Sequence, residues 1–197
     1  KSPIGMGLIG KNKGDFYYTP PAGFLALCTD NLPTPSISGV EAVQNFNTVL
    51  YTGDGVAIGS GGQPITGVGF QPDLTWLKKR SGGTERSHAL FDVIRGATEG
   101  LTPNMVDAEA TQTEQLTSFD SDGFTVGNGT TVNTSGQTYV GWNWKANGSG
   151  SANTDGTNID SIVSVNSAAG FSICTYNGTG NAGDSFGHGL SQKPEVV

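Results

Sequence analysis

The stretch Phe46-Asn47-Thr48-Val49-Leu50-Tyr51-Thr52-Gly53-Asp54-Gly55 decides the fold. It is aromatic and β-branched and ends in a glycine pair, the pattern of a strand running into a tight turn. It recurs as Phe171-Ser172-Ile173-Cys174-Thr175-Tyr176-Asn177-Gly178-Thr179-Gly180, at an offset of 125 residues. Phe46, Tyr51, Gly53 and Gly55 align with Phe171, Tyr176, Gly178 and Gly180. Further on, Gly67-Val68-Gly69-Phe70-Gln71-Pro72-Asp73-Leu74 resembles Gly187-His188-Gly189-Leu190-Ser191-Gln192-Lys193-Pro194-Glu195-Val196. One device is used twice: a strand, a glycine turn, a Gly-x-Gly turn, and a proline before a buried strand. The second copy is expected to stop in its first quarter, where a counterpart of Trp76 should follow.

Between the two copies, alternation continues. Asp73 to Lys78 places Leu74 and Trp76 on one face, and Tyr139 to Lys145 does the same for Val140, Trp142 and Trp144. Ser87 to Ile94 reads as another strand, and Phe119 to Gly127 as a turn feeding a strand. Thr102 to Glu114 is the best helix or loop candidate, although it lacks an apolar stripe. Asn147-Gly148-Ser149-Gly150-Ser151-Ala152-Asn153 has the composition of a flexible linker. Before the first copy, Pro20-Pro21 and Leu32-Pro33-Thr34-Pro35 lack the N–H groups of a ladder strand and mark a boundary near residues 33–45. The expected organisation is all-β, with antiparallel β-sandwich, jelly-roll-like modules in tandem. Residues 1–37 end a preceding unit, 38–146 form a complete repeat, 147–160 a linker, and 161–197 the start of a second repeat.

Composition agrees with this reading. Glycine is 31 of 197 residues and charged residues are only 14%, which favours turns and strands over long helices. An apolar share of 35% suffices for a core. The net charge of −7 argues against a nucleic-acid partner, which needs a basic face to neutralise phosphates. The short run Lys78-Lys79-Arg80 reads as a solvated strand end. No apolar run reaches the ~18 residues of a membrane span. Lys1-Ser2-Pro3-Ile4 is unlike a signal peptide and is expected as a mid-protein start.

Candidate sites are few. Cys28 and Cys174 share no metal-like spacing and read as small buried hydrophobes. His88 and His188 lie near no nucleophile motif, and His88 reads as a hydrogen-bonded structural residue. Asp120-Ser121-Asp122-Gly123 starts like a calcium loop but lacks the downstream Glu, so a tight Asx turn is expected instead. Asp92, Asp120 and Asp122 could serve a glycosidase only if the fold paired them at the required separation. Core packing is the expectation for Trp142 and Trp144, which share a face with Val140. Stacking on sugars is the alternative for Trp76, Trp142 and Trp144. The Asn-x-Ser/Thr triplets at Asn128, Asn133, Asn147 and Asn177 read as turn chemistry. No cofactor, metal site or catalytic set is expected.

The combination Gly69 to Lys78, Ser87 to Gly96, Leu116 to Phe124 and Tyr139 to Ala146 resembles a repeated β-domain of marine and cyanobacterial phage proteins. The resemblance covers about residues 46–197. Residues 15–33, with Tyr18-Thr19-Pro20-Pro21-Ala22-Gly23-Phe24 and Ala26-Leu27-Cys28, are similar to the end of a SPRY-type, concanavalin-like sandwich that often precedes it. The resemblance implies a non-enzymatic virion structural protein, a tail fibre or appendage displaying modules for host attachment. It would be assembled in the bacterial host cytoplasm beside other virion proteins. A homo-oligomer, with a trimer favoured, and a host surface glycan are the implied partners. A capsid-associated head fibre or decoration protein is the alternative. A carbohydrate-active enzyme module is the alternative of a different class.

Overall fold

The computed structural model describes residues 42–82 and 84–197. The chain divides between Gly39 and Val40, and the described residues all belong to the unit that follows. The expectations for residues 1–37, including Cys28, lie outside the described residues.

The described residues are all-β, with fourteen strands and no α-helix. The first nine are β1 (Phe46–Thr52), β2 (Gln63–Thr66), β3 (Leu74–Lys79), β4 (Ala89–Asp92), β5 (Glu99–Leu101), β6 (Ala110–Thr111), β7 (Leu116–Asp120), β8 (Gly123–Val126) and β9 (Thr138–Trp144). Five follow: β10 (Ser151–Asn153), β11 (Asn158–Ile159), β12 (Ser161–Asn166), β13 (Phe171–Tyr176) and β14 (Ser185–Phe186). A six-stranded antiparallel sheet runs β1-β9-β3-β4-β5-β6, and a three-stranded sheet runs β2-β8-β7. The chain then builds a second three-stranded sheet, β10-β12-β13, and a short parallel pair, β11-β14.

The first two sheets pack face to face. Val49, Leu77, Ala89 and Phe91 from the larger sheet meet Ile65, Leu116, Phe124 and Val126 from the smaller. Val68, Phe70 and Val132 belong to the same core. Gly141 sits in the middle of β9, and a Cβ there would lie 3.2 Å from Phe124 Cζ and 3.1 Å from Leu77 Cδ2. The missing side chain is what lets the Phe124 ring reach the larger sheet. Two buried polar residues are fully satisfied beside it. Thr75 Oγ1 donates to Asn143 Oδ1 at 3.0 Å, and Asn143 Nδ2 donates to the carbonyls of Asn47 and Gly141 at 3.2 and 3.1 Å. Leaving such groups unpaired would cost ~1–3 kcal/mol each.

Long-range side-chain clamps fix the turns. Asn133 is fully buried, and its Oδ1 accepts the N–H groups of Asp54 and Gly55 at 2.8 and 3.2 Å. Asp122 accepts the N–H groups of Gly69 and Gly67 at 2.6 and 3.0 Å, so the expected local Asx turn is instead a brace to a loop more than fifty residues away. Those two bonds hold the Asp122 carboxyl below the usual carboxylate range.

Of helix or loop, residues 102–114 take the loop: a turn at Thr102–Met105 leads to the two-residue β6, which pairs with β5. Two expectations are corrected. The segment 147–160 carries two strands, β10 on β12 and β11 on β14, because a Gly- and Ser-rich chain still supplies ladder groups to a waiting strand edge. The second concerns the tryptophans. Thr75, Leu77, Tyr139, Gly141 and Asn143 turn inward, so Trp76, Trp142 and Trp144 lie on the opposite face, half-buried and outside the core.

Candidate binding face

The outer face of the six-stranded sheet is set by register. Thr48, Trp142, Trp76 and Leu90 stand in one row across β1, β9, β3 and β4. Leu50, Val140 and Lys78 form the row on one side, and Phe46, Trp144 and Leu74 the row on the other. Leu50 is 63% exposed and Phe46 40%. Strand alternation forces one apolar set inward and a second outward, and here the outward set is the more aromatic.

The three tryptophans do not form one site. Trp76 and Trp142 meet edge to face, with ring centroids 6.1 Å apart at 72°. The indole Nε1–H of Trp76 donates to His88 Nδ1 at 2.8 Å, which locks the indole orientation. That bond needs a lone pair on Nδ1, so it selects neutral His88. Burial, followed by the Lys78 ammonium, lowers the His88 pKa from its ordinary value. Trp144 lies in the next row, between Phe46 at 4.9 Å and Phe171 of β13 at 6.2 Å, stacked on the latter at 22°. It is therefore a packing residue between the large sheet and the β10-β12-β13 sheet, and Trp76 and Trp142 remain as the open pair.

Beside Trp76 lies a shallow polar recess of about 260 Å³ lined by Lys78, Glu85, Arg86, Ser87, His88 and Asn104. Lys78 Nζ donates to the Arg86 carbonyl, and the His88 N–H donates to Asn104 Oδ1 at 2.9 Å. Arg86 Nε is buried without a partner. A flat ring with donors at its edge can stack on a sugar and bond its hydroxyls. Arg86 and Asn104 carried no signal in the sequence. They reach Trp76 only through the fold of the β3–β4 hairpin and the loop after β5.

The remaining candidates are accounted for locally. Asp92 accepts the N–H groups of Ile94 and Arg95 and pairs with Arg95 Nε at 2.6 Å. Asp120 accepts the hydroxyls of Ser118 and Thr125 at 2.9 and 2.7 Å. With Asp122 braced to Gly67 and Gly69, all three acids of the glycosidase alternative are engaged in holding turns. His188 Nδ1 accepts the Leu190 N–H at 3.1 Å, and the Cys174 thiol donates to the His188 carbonyl at 3.8 Å. Among the described residues, no group of three or more His, Cys, Asp or Glu clusters to hold a metal ion. Among them, no helix is long and apolar enough to cross a membrane.

No curated protein and no solved structure matches this chain. The profile of one family, a domain of unknown function (DUF7483), matches residues 41–197. The match takes in both copies of the repeated strand and the whole outer face, so the chain belongs to the DUF7483 family.

Proposed function

We propose that this chain is a structural component of a bacteriophage virion, a tail fibre or related appendage whose β modules present the Trp76–Trp142 face toward a host-surface glycan. The outer aromatic pair carries this reading: it is half-exposed, held by His88 on a rigid sheet, and flanked by Lys78, Arg86 and Asn104. Sites built on sheets hold their geometry better than sites on loops, which suits a display role. The motif series from Gly69 to Ala146 supports the virion assignment through its resemblance to repeated phage domains. Other virion proteins and further copies of the chain, as a trimer, would be its structural partners.

Two measurements test the two halves of the proposal. Antibody against this domain, applied to intact particles of the source virus, should label the tail. Label on the capsid would favour the decoration alternative, and unlabelled particles would sink both. A glycan array should show binding that Trp76→Ala abolishes while the far-ultraviolet dichroism of the sheet persists. Equal binding by the variant would remove the glycan role.

A further inference from the structure

β13 repeats the sequence of β1 but has a different neighbour. β1 pairs along its whole length with β9, from Phe46 opposite Trp144 to Thr52 opposite Thr138. Among the described residues, β13 pairs with β12 alone and lies at the edge of its sheet.

The free side of β13 is the side that β1 gives to β9. Residues of an antiparallel strand aim their backbone groups alternately left and right. The Gly53 N–H donates to the Gln137 carbonyl, and the Lys145 N–H to the Asn45 carbonyl, so odd-numbered residues of β1 aim at β9. Their counterparts in β13 are Ser172, Cys174 and Tyr176. On the other side, the Val163 carbonyl of β12 points at β10, since a Cβ on Gly150 would lie 2.7 Å from it. Even-numbered residues of β12 therefore aim at β13, opposite Phe171, Ile173 and Thr175. Ser172, Cys174 and Tyr176 are left facing outward, and among the described residues no backbone bond joins them to another segment.

Beside them an open cavity of about 390 Å³ is lined by Cys174, Thr175 and Tyr176 and by Ile94, Arg95 and Glu109. Tyr176 is 51% exposed, although its counterpart Tyr51 is stacked on Tyr139 of β9 at 5.2 Å.

We propose that the free edge of β13 captures an extended segment with the pattern of β9, Thr-Tyr-Val-Gly-Trp-Asn-Trp, in antiparallel register. The register follows from β1: the segment's tyrosine lies opposite Tyr176, its glycine opposite Cys174 and its last tryptophan opposite Phe171. This is strand addition to an open edge, in which backbone bonds give affinity and alternate side chains give specificity. The inference does not depend on the virion assignment.

The probe is a synthetic peptide of residues Gln137–Ala146, added to the full chain and followed by amide hydrogen exchange at single-residue resolution. In the free chain, the Ser172, Cys174 and Tyr176 amides should exchange faster than those of Phe171, Ile173 and Thr175. Saturating peptide should slow the first set about tenfold or more. A scrambled peptide, and the native peptide N-methylated on alternate residues, should leave them unchanged. Three results would each overturn the proposal. They are slow exchange at the outward amides without peptide, equal protection by the scrambled peptide, and a concentration-dependent dimer that protects β13 by pairing it with itself.

Discussion

The stretches Phe46–Phe70 and Phe171–Leu190 start from one sequence pattern and reach different degrees of completion. Two glycines of their turns are left-handed in both, although Gly67 has φ of 88° and its counterpart Gly187 is not left-handed. Gly55 and Gly180 have φ of 76° and 77°, and Gly69 and Gly189 have φ of 87° and 72°. Their surroundings differ. Val49 of β1 is inside the core, whereas its counterpart Cys174 is only half-buried. Tyr51 stacks on Tyr139, meets Phe124 edge to face at 6.3 Å, and donates its hydroxyl to the Val132 carbonyl at 2.8 Å. Among the described residues, Tyr176 has one ring partner, Phe186, at 4.0 Å. The local pattern therefore carries these two glycine conformations, and the opposing sheet supplies the burial. Hydrophobic stabilisation grows with apolar area removed from water, so matched sequences need not contribute equally.

The sharpest way to break this comparison is to truncate the matched tyrosines. Tyr51→Ala removes a ring packed against two others and leaves the Val132 carbonyl unpaired. It should destabilise the domain by about 3 kcal/mol in urea-induced unfolding. Tyr176→Ala should cost under about 1 kcal/mol, because half of its surface already meets water. Equal losses would mean that the second stretch is buried by something outside the described residues.

The contrast also shows where sequence reasoning stops. Period two in Tyr139–Trp144 reveals that Val140, Trp142 and Trp144 share a face. It does not reveal which face turns inward, because both are largely apolar. The choice rests on Gly141, whose missing side chain admits Phe124 from a different sheet, and on Asn143, whose amide is satisfied only by Thr75, Asn47 and Gly141. These partners are distant in sequence, so alternation alone points the larger aromatic set into the core. The strands β1, β3 and β9 were legible because each carries its own alternation. β10 and β11 were not, since their ladder partners β12 and β14 lie beyond them in the chain. Of the face itself, Trp76 and Trp142 were legible as aromatic candidates. The His88 lock on Trp76 was hidden in hairpin register.

A smaller effect tests whether the shared turns are alike energetically. Alanine at a left-handed position strains the backbone by ~1–2 kcal/mol. Gly180→Ala should show that cost alone, since a Cβ there meets nothing within 4 Å. Gly55→Ala should cost somewhat more, because its Cβ would come within 3.3 Å of Ser135 Cβ. The difference in unfolding midpoint between the two variants isolates the contribution of the opposing loop. If Gly180→Ala were neutral, the second turn would be free to relax, and the likeness of the two φ values would have no energetic meaning.

The smallest effect is a pH dependence common to both stretches. Asp122 braces the first Gly-x-Gly turn through the Gly69 and Gly67 amides. Asp184 in the second stretch accepts from the Asn158 amide at 2.8 Å and from the Thr179 hydroxyl. In each case those bonds favour the ionised carboxyl and hold its pKa below 3.8. A carboxyl depressed on folding binds its proton more readily in the unfolded chain. Its stabilising contribution is therefore complete above pH 3.8 and is lost as pH falls through the lower folded value. Asp122 is exposed and Asp184 half-buried, so solvent screening keeps each contribution small. Carbon-detected titration should place both carboxyls below 3.8 in the folded chain. The distinguishing outcome lies in the neighbours. Protonating Asp122 should release the Gly67 and Gly69 amides, which tie the loop after β2 to the β7–β8 turn, and so speed their exchange. Protonating Asp184 should disturb only Asn158, Thr179 and Asn181, because its clamp stays within one local cluster. If Gly67 and Gly69 kept their protection at low pH, the Asp122 brace would not be what joins the first turn to the β7–β8 hairpin. The two stretches would then differ in burial alone.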